Sequence, residues 1–289
     1  VSAPATPLLL GRRDLDGNPN SIVIKGKYAY IASTDNSQEL QIIDISNPAT
    51  IDQASKLTSV NLTNENSGDN NANAIGLSLS GNYLIMVRDA GDEFLIFDLA
   101  NPSNPGNPVG RTGSLSGNPN GVVALDNYAY VASTNNGEEL QVFDVSNRTS
   151  PSRVATLNIN SGDNNANALS LAVAEGYLLV GRQESDAPEL YSINISNPTT
   201  PVLSSTLELG ADVRSVFYDS IGKHAFLATN DDSNDFKVID ARTPDVLTGV
   251  LGQLNVNNSP VQIVYDNALD RAFIASSDNS QELQIIKPQ

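Results

Sequence analysis

The sequence predicts an all-β protein, a six-bladed β-propeller with four-stranded antiparallel blades, from three observations. It contains six imperfect copies of one unit, the copies recur at near-constant spacing, and the turns are rich in Gly, Pro, Asn and Ser with no helical periodicity. The copies are plain on inspection. GNPNSIVIKGKYAYIASTDNSQELQIIDISNP, from Gly17, matches GNPNGVVALDNYAYVASTNNGEELQVFDVSN, from Gly117, and SGDNNANAIGLSLSGNYLIMV, from Ser67, matches SGDNNANALSLAVAEGYLLVG, from Ser161. Two diverged copies begin near Val216 and Ile263.

Anchoring each copy on the first apolar residue of its LQIID-like segment gives Leu40, Phe94, Leu140, Leu190, Phe236 and Leu283, with gaps of 54, 46, 50, 46 and 47. A period of about 49 residues fits a four-stranded blade. The blades are expected at roughly 17–63, 67–115, 117–159, 161–209, 211–255 and 257–289 plus 5–15, within one domain spanning 1–289.

Each copy reads in the same order. An inner strand such as residues 21–24 meets a tight turn (Lys25-Gly26-Lys27 or Leu125-Asp126-Asn127), and a second strand follows at 28–32. An acidic loop leads to a third strand at 40–44, and an Asn-Pro turn leads to a fourth, such as residues 154–157. Apolar and small residues alternate in the first three strands, as in sheets covered on both faces. The sixth copy stops after its third strand, while Thr6-Pro7-Leu8-Leu9-Leu10-Gly11 has the form of the fourth-strand segment Thr200-Pro201-Val202-Leu203. Residues 8–15 are therefore expected to pair beside residues 283–286, closing the ring and removing two sheet edges.

The unit resembles the LVIVD-repeat family of exported and cell-surface proteins. The resemblance rests on Tyr28-Ala29-Tyr30-Ile31-Ala32 with Leu40-Gln41-Ile42-Ile43-Asp44-Ile45-Ser46-Asn47-Pro48, and on residues 128–132 with 140–147. Copy four departs from it with Asn194 in place of the Asp, and copy five with Ala241-Arg242-Thr243-Pro244 in place of Ser-Asn-Pro. What it implies is a propeller on a secreted or surface protein, and the motif brings no catalytic residues with it.

A net charge of −17, with 33 acidic residues against 16 basic ones, disfavours nucleic acid and anionic membrane surfaces. No run of residues suits a membrane span. With no Cys, the chain has no disulfide, thiolate metal site or Cys nucleophile. The start at Val1 and a single methionine, Met86, suggest that a leader or anchor precedes the segment. An extracellular or surface location is expected.

In a propeller the loops into the inner strands and those joining second to third strands share one face, which here gathers more than half of the acidic residues. Either they form a solvated rim or they bind Ca²⁺ or a cationic partner. Asp14, Asp16 and Asn18 offer oxygens at alternate positions as hard-cation loops do, without the distal carboxylate of a complete calcium loop. At the starts of the inner strands, Asn20, Asn73, Asn120, Asn167, Asp212 and Ser259 form a polar ring at the channel mouth. These side chains either cap backbone groups or hold water, an ion or a ligand.

Little supports catalysis. The lone His224 occupies the slot of Tyr28, Tyr83, Tyr128, Tyr177 and Arg271, so it reads as a strand residue. Asp231 and Asp232 sit in an acidic loop with no sign of the burial that raises a carboxyl pKa. Arg88 and Arg182 follow the second strand only in the two SGDNNAN copies, where they either pair with Asp89, Asp92 and Glu184 or hold an anion. Four Asn-X-Ser/Thr matches carry little weight in an Asn-rich chain. The expected function is a non-enzymatic surface module for binding a protein or glycan, adhesion or assembly, including filament assembly through the N-terminal strand. The alternative is a saccharide hydrolase or lyase at the channel mouth.

Overall fold

The computed structural model describes residues 12–47, 49, 51, 56–62, 72–90, 93–113, 115–159, 166–256, 260–277 and 283–287. They form six successive antiparallel sheets, and the chain is an all-β, six-bladed propeller. Blade one holds β1 (Pro19–Lys25), β2 (Tyr28–Ser33), β3 (Leu40–Asp44) and β4 (Lys56–Val60). Blade two holds β5 (Ala74–Ser80), β6 (Tyr83–Arg88), β7 (Phe94–Asp98) and β8 (Gly110–Thr112). Blade three holds β9 (Pro119–Leu125), β10 (Tyr128–Ser133), β11 (Leu140–Asp144) and β12 (Ser152–Leu157). Blade four holds β13 (Ala168–Ala174), β14 (Tyr177–Arg182), β15 (Leu190–Asn194) and β16 (Val202–Leu207). Blade five holds β17 (Val213–Asp219), β18 (His224–Thr229), β19 (Phe236–Asp240) and β20 (Val250–Leu254). Blade six has three strands among the described residues: β21 (Pro260–Asp266), β22 (Arg271–Ser276) and β23 (Leu283–Ile286).

The hairpins between first and second strands explain the register. Gly26 and Gly81 take φ of 60° and 59°, and Asp126 and Glu175 take 53° and 51° at the same turn position. Left-handed residues of this kind match the twist of two-residue hairpins, so each second strand starts on the same slot. In blades one to five the second strands are buried after their first residue, which is why YAYIAS, YLIMVR and HAFLAT are largely apolar on both faces.

Two compact units are distinguished. One comprises the described residues up to Val131 with Gln141–Val154, and the other Ala132–Leu140 with the described residues from Ala155 on. In the first, Tyr30, Leu40 and Ile42 of blade one pack with Leu77, Met86, Leu95 and Phe97 of blade two. Ile85, Val87 and Ile96 of blade two meet Val122, Val131 and Val145 of blade three, with Phe94 stacked on Phe143 at 4.5 Å. In the second, Leu179 and Leu190 pack with Val216, Leu227 and Ile239, and Phe226 stacks on Tyr265 at 4.5 Å. Within each unit, neighbouring sheets thus bury facing surfaces against one another.

Residues 8–11 of the expected closing strand lie outside the described residues. Arg12, Arg13, Asp14 and Leu15 carry no strand, and Leu15 packs against the cluster of Ala29, Ile31 and Ile43 in blade one.

Candidate functional site

The repeated polar residues are used to shape loops. In the third-strand motif, Asp44, Asp98, Asp144, Asn194 and Asp240 each accept the backbone N–H two residues on, from Ser46, Ala100, Ser146, Ser196 and Arg242. The Asn of the motif repeats the device, with Asn147 accepting from Thr149 and Asn197 from Thr199. Such turns reverse the chain between third and fourth strands. The Asp44 carboxylate is held down to about 2 by its bonds to Ser46, with Lys27 also contributing.

The lead-in residues have a different register from that expected. Pro19, Ala74, Ala168 and Val213 are the equivalent first residues of their inner strands, pairing with Ser33, Arg88, Arg182 and Thr229. The residue aligned with Asn73, Asn167 and Asp212 is therefore Asn18, whereas Asn20 lies at a β-bulge between Pro19 and Ser21. Asn20 donates to the Ala74 carbonyl at 2.8 Å, and Asn120 falls inside β9, while Ser259 lies outside the described residues. In each equivalent position the residue clips to the one after the second strand. Asn73 N–H and side-chain amide donate to Asp89, Asn167 does the same to Gln183, and Asn230 donates to Asp212. Asn18 N–H donates to the Thr34 hydroxyl. The capping geometry is thus present in four blades.

A second latch was not legible in advance. In blades one to five the acidic residue just before the third strand turns inward and accepts the N–H of an aliphatic residue beyond the fourth strand. Glu39 accepts from Leu62 at 3.1 Å, Glu139 from Ile159 at 3.1 Å, Glu189 from Leu209 at 2.7 Å and Asp235 from Val256 at 2.6 Å, and Glu93 accepts from Leu115. Glu39, Glu139 and Glu189 are wholly buried and Asp235 is 4% exposed, so these carboxylates do not contribute to an exposed acidic face as expected. Burial pushes the Glu39, Glu139 and Glu189 carboxyls above the ordinary range. The visible signal was an acidic residue at one fixed position in every copy.

Arg88 and Arg182 serve the same junctions. Both are buried, and Arg88 faces Glu39 of the preceding blade at 3.7 Å while Asp89 is occupied by Asn73. Arg182 donates to the Tyr191 hydroxyl at 2.8 Å and the Pro188 carbonyl at 3.1 Å, and the Glu139 carboxylate feels its charge.

The other candidates are dispersed. Asp14, Asp16 and Asn18 are exposed, and Asp16 uses its carbonyl to accept from Gln41 and Ser33. No group of three or more His, Cys, Asp or Glu arranged to hold a metal occurs among the described residues. His224 begins β18 opposite Asp240, as Tyr28 begins β2 opposite Asp44, and its ring lies edge-on to Phe226. Asp231 pairs with Lys237 at 2.6 Å, which holds its carboxyl low. Glu184, Asp186 and Asp232 carry exposed carboxylates, and Asp212 accepts the Glu184 backbone N–H at 2.8 Å.

The LVIVD repeat profile matches residues 16–55, 72–108, 116–158 and 166–208, more than half of the chain. The chain belongs to the LVIVD-repeat family. These LVIVD repeats coincide with blades one to four, and blades five and six continue the architecture with diverged motifs. A search of the curated proteins finds no match. Among solved structures, this LVIVD protein is similar to a chain of the mitotic checkpoint complex at 14% identity, TM-score 0.72, covering 96% of this chain and 79% of that one. It is also similar to the Pseudomonas aeruginosa periplasmic gluconolactonase at 13% identity, TM-score 0.68, covering 93% and 73%. The extracellular domain of a putative hybrid two component system from B. thetaiotaomicron aligns at 15% identity and TM-score 0.57, covering 92% of this chain but 32% of that one. At these identities the likeness concerns the fold. No helix among the described residues is long and apolar enough to cross a membrane.

Proposed function

We propose that this LVIVD propeller is a non-enzymatic, extracellular or cell-surface binding module that presents loop carboxylates to a basic protein or glycan partner. The observation that carries the reading is the commitment of the repeated polar residues to hydrogen bonds within the scaffold. Asn73, Asn167 and Asp212 clip the lead-in loops, and Glu39, Glu139, Glu189 and Asp235 latch the outgoing chain. Groups so engaged hold the scaffold, whereas an acid-base pair needs groups free to exchange a proton with substrate. Glu184 and Asp186, between β14 and β15 of blade four, and Asp232, between β18 and β19 of blade five, keep exposed carboxylates.

The test is binding of the full chain to a glycan array and to immobilised cationic proteins at low and high salt. Partners of this surface weaken as salt screens them and are lost in the triple variant Glu184→Gln, Asp186→Asn, Asp232→Asn. The charge-matched control Glu208→Gln, Asp245→Asn, Asp266→Asn retains binding. Turnover of a lactone or saccharide that disappears in Asp212→Asn would overturn the proposal in favour of an enzyme.

A further inference from the structure

Three of the loops between second and third strands close on the same four-residue turn. The Asp35 carbonyl accepts the Gln38 N–H at 3.1 Å, that of Asn135 accepts the Glu138 N–H at 3.2 Å, and that of Asp231 accepts the Asn234 N–H at 3.2 Å. In each, the first side chain also accepts the third residue's N–H, from Ser37 at 2.8 Å, Gly137 at 2.9 Å and Ser233 at 2.9 Å. The second residue is exposed in all three and is Asn36, Asn136 or Asp232. Asn-Gly occurs twice in the chain, at Asn136-Gly137 in this turn and at Asn120-Gly121 inside β9, where both residues are half-buried.

Glycine at position 137 changes what the asparagine before it can do. Without a Cβ, residue 137 can bring its amide nitrogen against Asn136 Cγ, an approach that the side chain of Ser37 obstructs in the equivalent turn of blade one. The fold itself does not require this glycine. Gly137 is not among the residues with positive φ, and a Cβ built on it would lie 3.7 Å from Asn135 Oδ1, an ordinary contact.

We propose that Asn136 is a site of spontaneous deamidation, with water as the only co-reactant. The Gly137 amide nitrogen gives up its proton to solvent base and bonds to Asn136 Cγ, the Cγ–Nδ2 bond breaks, and ammonia leaves. Water then opens the cyclic imide at one carbonyl or the other, giving aspartate or isoaspartate. The Gly137 N–H must first leave Asn135 Oδ1, which local opening of an exposed turn permits, whereas Asn120 reacts only when β9 opens. Aspartate is the residue that blade five carries in this turn at Asp232, so the turn accepts that product. Isoaspartate instead adds a methylene to the backbone three residues before the Glu139 latch. Either product adds a negative charge to the loop that corresponds to those of Glu184, Asp186 and Asp232, and the reaction does not depend on what those loops bind.

The test is incubation of the folded full chain at mildly alkaline pH, followed by proteolysis and mass spectrometry of the peptides. The peptide holding Asn136 is expected to gain about 1 Da, in aspartyl and isoaspartyl forms that separate by chromatography. Its conversion should run on the order of tenfold faster than that of Asn36, in the equivalent turn, or of Asn120, in the strand. Gly137→Ala is expected to slow the conversion by a similar factor while leaving the melting temperature unchanged. A second readout separates the products: the isoaspartyl chain should melt below the unaltered one, and Asn136→Asp, which adds the charge without the methylene, should not. Equal rates at Asn136 and Asn36, or an unchanged rate in Gly137→Ala, would overturn the proposal. An Asn136 that stays intact in the folded chain while Asn36 or Asn120 converts would overturn it equally.

Discussion

Glu39 and Arg88 face each other at 3.7 Å across the junction of blades one and two, both buried, with the second Glu39 oxygen held by the Leu62 N–H. Oε1 of Glu39 and Nε and Nη2 of Arg88 make no hydrogen bond among the described residues. The pair is attractive but incompletely satisfied, a state in which removing one member costs more than removing both.

Arg88→Met and Glu39→Gln are each expected to destabilise the chain, Arg88→Met by about 3 kcal/mol because it leaves the Glu39 charge buried alone. The double variant should be more stable than the sum of the two losses predicts. Urea denaturation of all four proteins measures the coupling, and additive losses would show that the two charges do not interact.

This pair also marks where sequence reasoning stopped. The six-copy period, the hairpin turns and the slot of His224 were legible because strands and turns impose local residue choices, and the LVIVD motif lies within one blade. Arg88 and Glu39 belong to different blades, and only packing decides that Glu39 turns inward while Glu138, one residue before its counterpart Glu139, does not. Asn20 was misplaced because the local sequence does not fix which residue precedes the first ladder pair. Asn18-Pro19-Asn20 offers two asparagines, and only the pairing of Pro19 with Ser33, equivalent to Ala74 with Arg88 and Val213 with Thr229, shows that Asn18 is the counterpart.

The Glu189 latch lacks an arginine and so isolates the hydrogen bonds. Its Oε2 accepts from Leu209 at 2.7 Å and Gly210 at 3.0 Å. Glu189→Ala should cost about 1–3 kcal/mol by stranding those donors, and Glu189→Gln, which retains an acceptor oxygen, should cost less. Equal losses in urea midpoint would mean that charge, and not the hydrogen bond, matters.

Gly110 starts β8 where a Cβ would lie 1.9 Å from the Arg148 carbonyl oxygen. Gly110→Ala must therefore push blades two and three apart and should lower stability by about 1–3 kcal/mol. Gly26, with φ of 60° and open space around it, is the control. Gly26→Ala carries only the left-handed backbone penalty of about 1 kcal/mol. Thermal unfolding that ranks the two the other way would contradict the close approach.

Asp14, Asp16 and Asn18 are exposed and the loop backbone is tied to Ser33, Thr34 and Gln41. A chain with a net charge of −17 is stabilised by any divalent cation through screening, so the informative comparison is between ions. Equal rises in melting temperature with Ca²⁺ and Mg²⁺ at matched concentration are expected. A larger rise with Ca²⁺, abolished by Asp14→Asn with Asp16→Asn, would establish a specific site.

Acid should first stabilise the fold and then destabilise it. Burial raises the Glu39, Glu139 and Glu189 carboxyls above 4.5, so the folded chain binds these protons more tightly than the unfolded chain. Stability from this source grows as pH falls from neutral through the raised values and is complete below about 4.5. Asp44 and Asp240 act oppositely, held to about 2 by Ser46 and by Arg242 against an ordinary 3.8. Their contribution is present above 3.8 and is lost as pH falls toward 2. Calorimetry from pH 7 to pH 2 should therefore give a melting temperature that rises toward about pH 4.5 and falls below 3.8, with a smaller rise in Glu189→Gln. A steady decline from pH 7 downward would show that the buried glutamates are not held against ionisation.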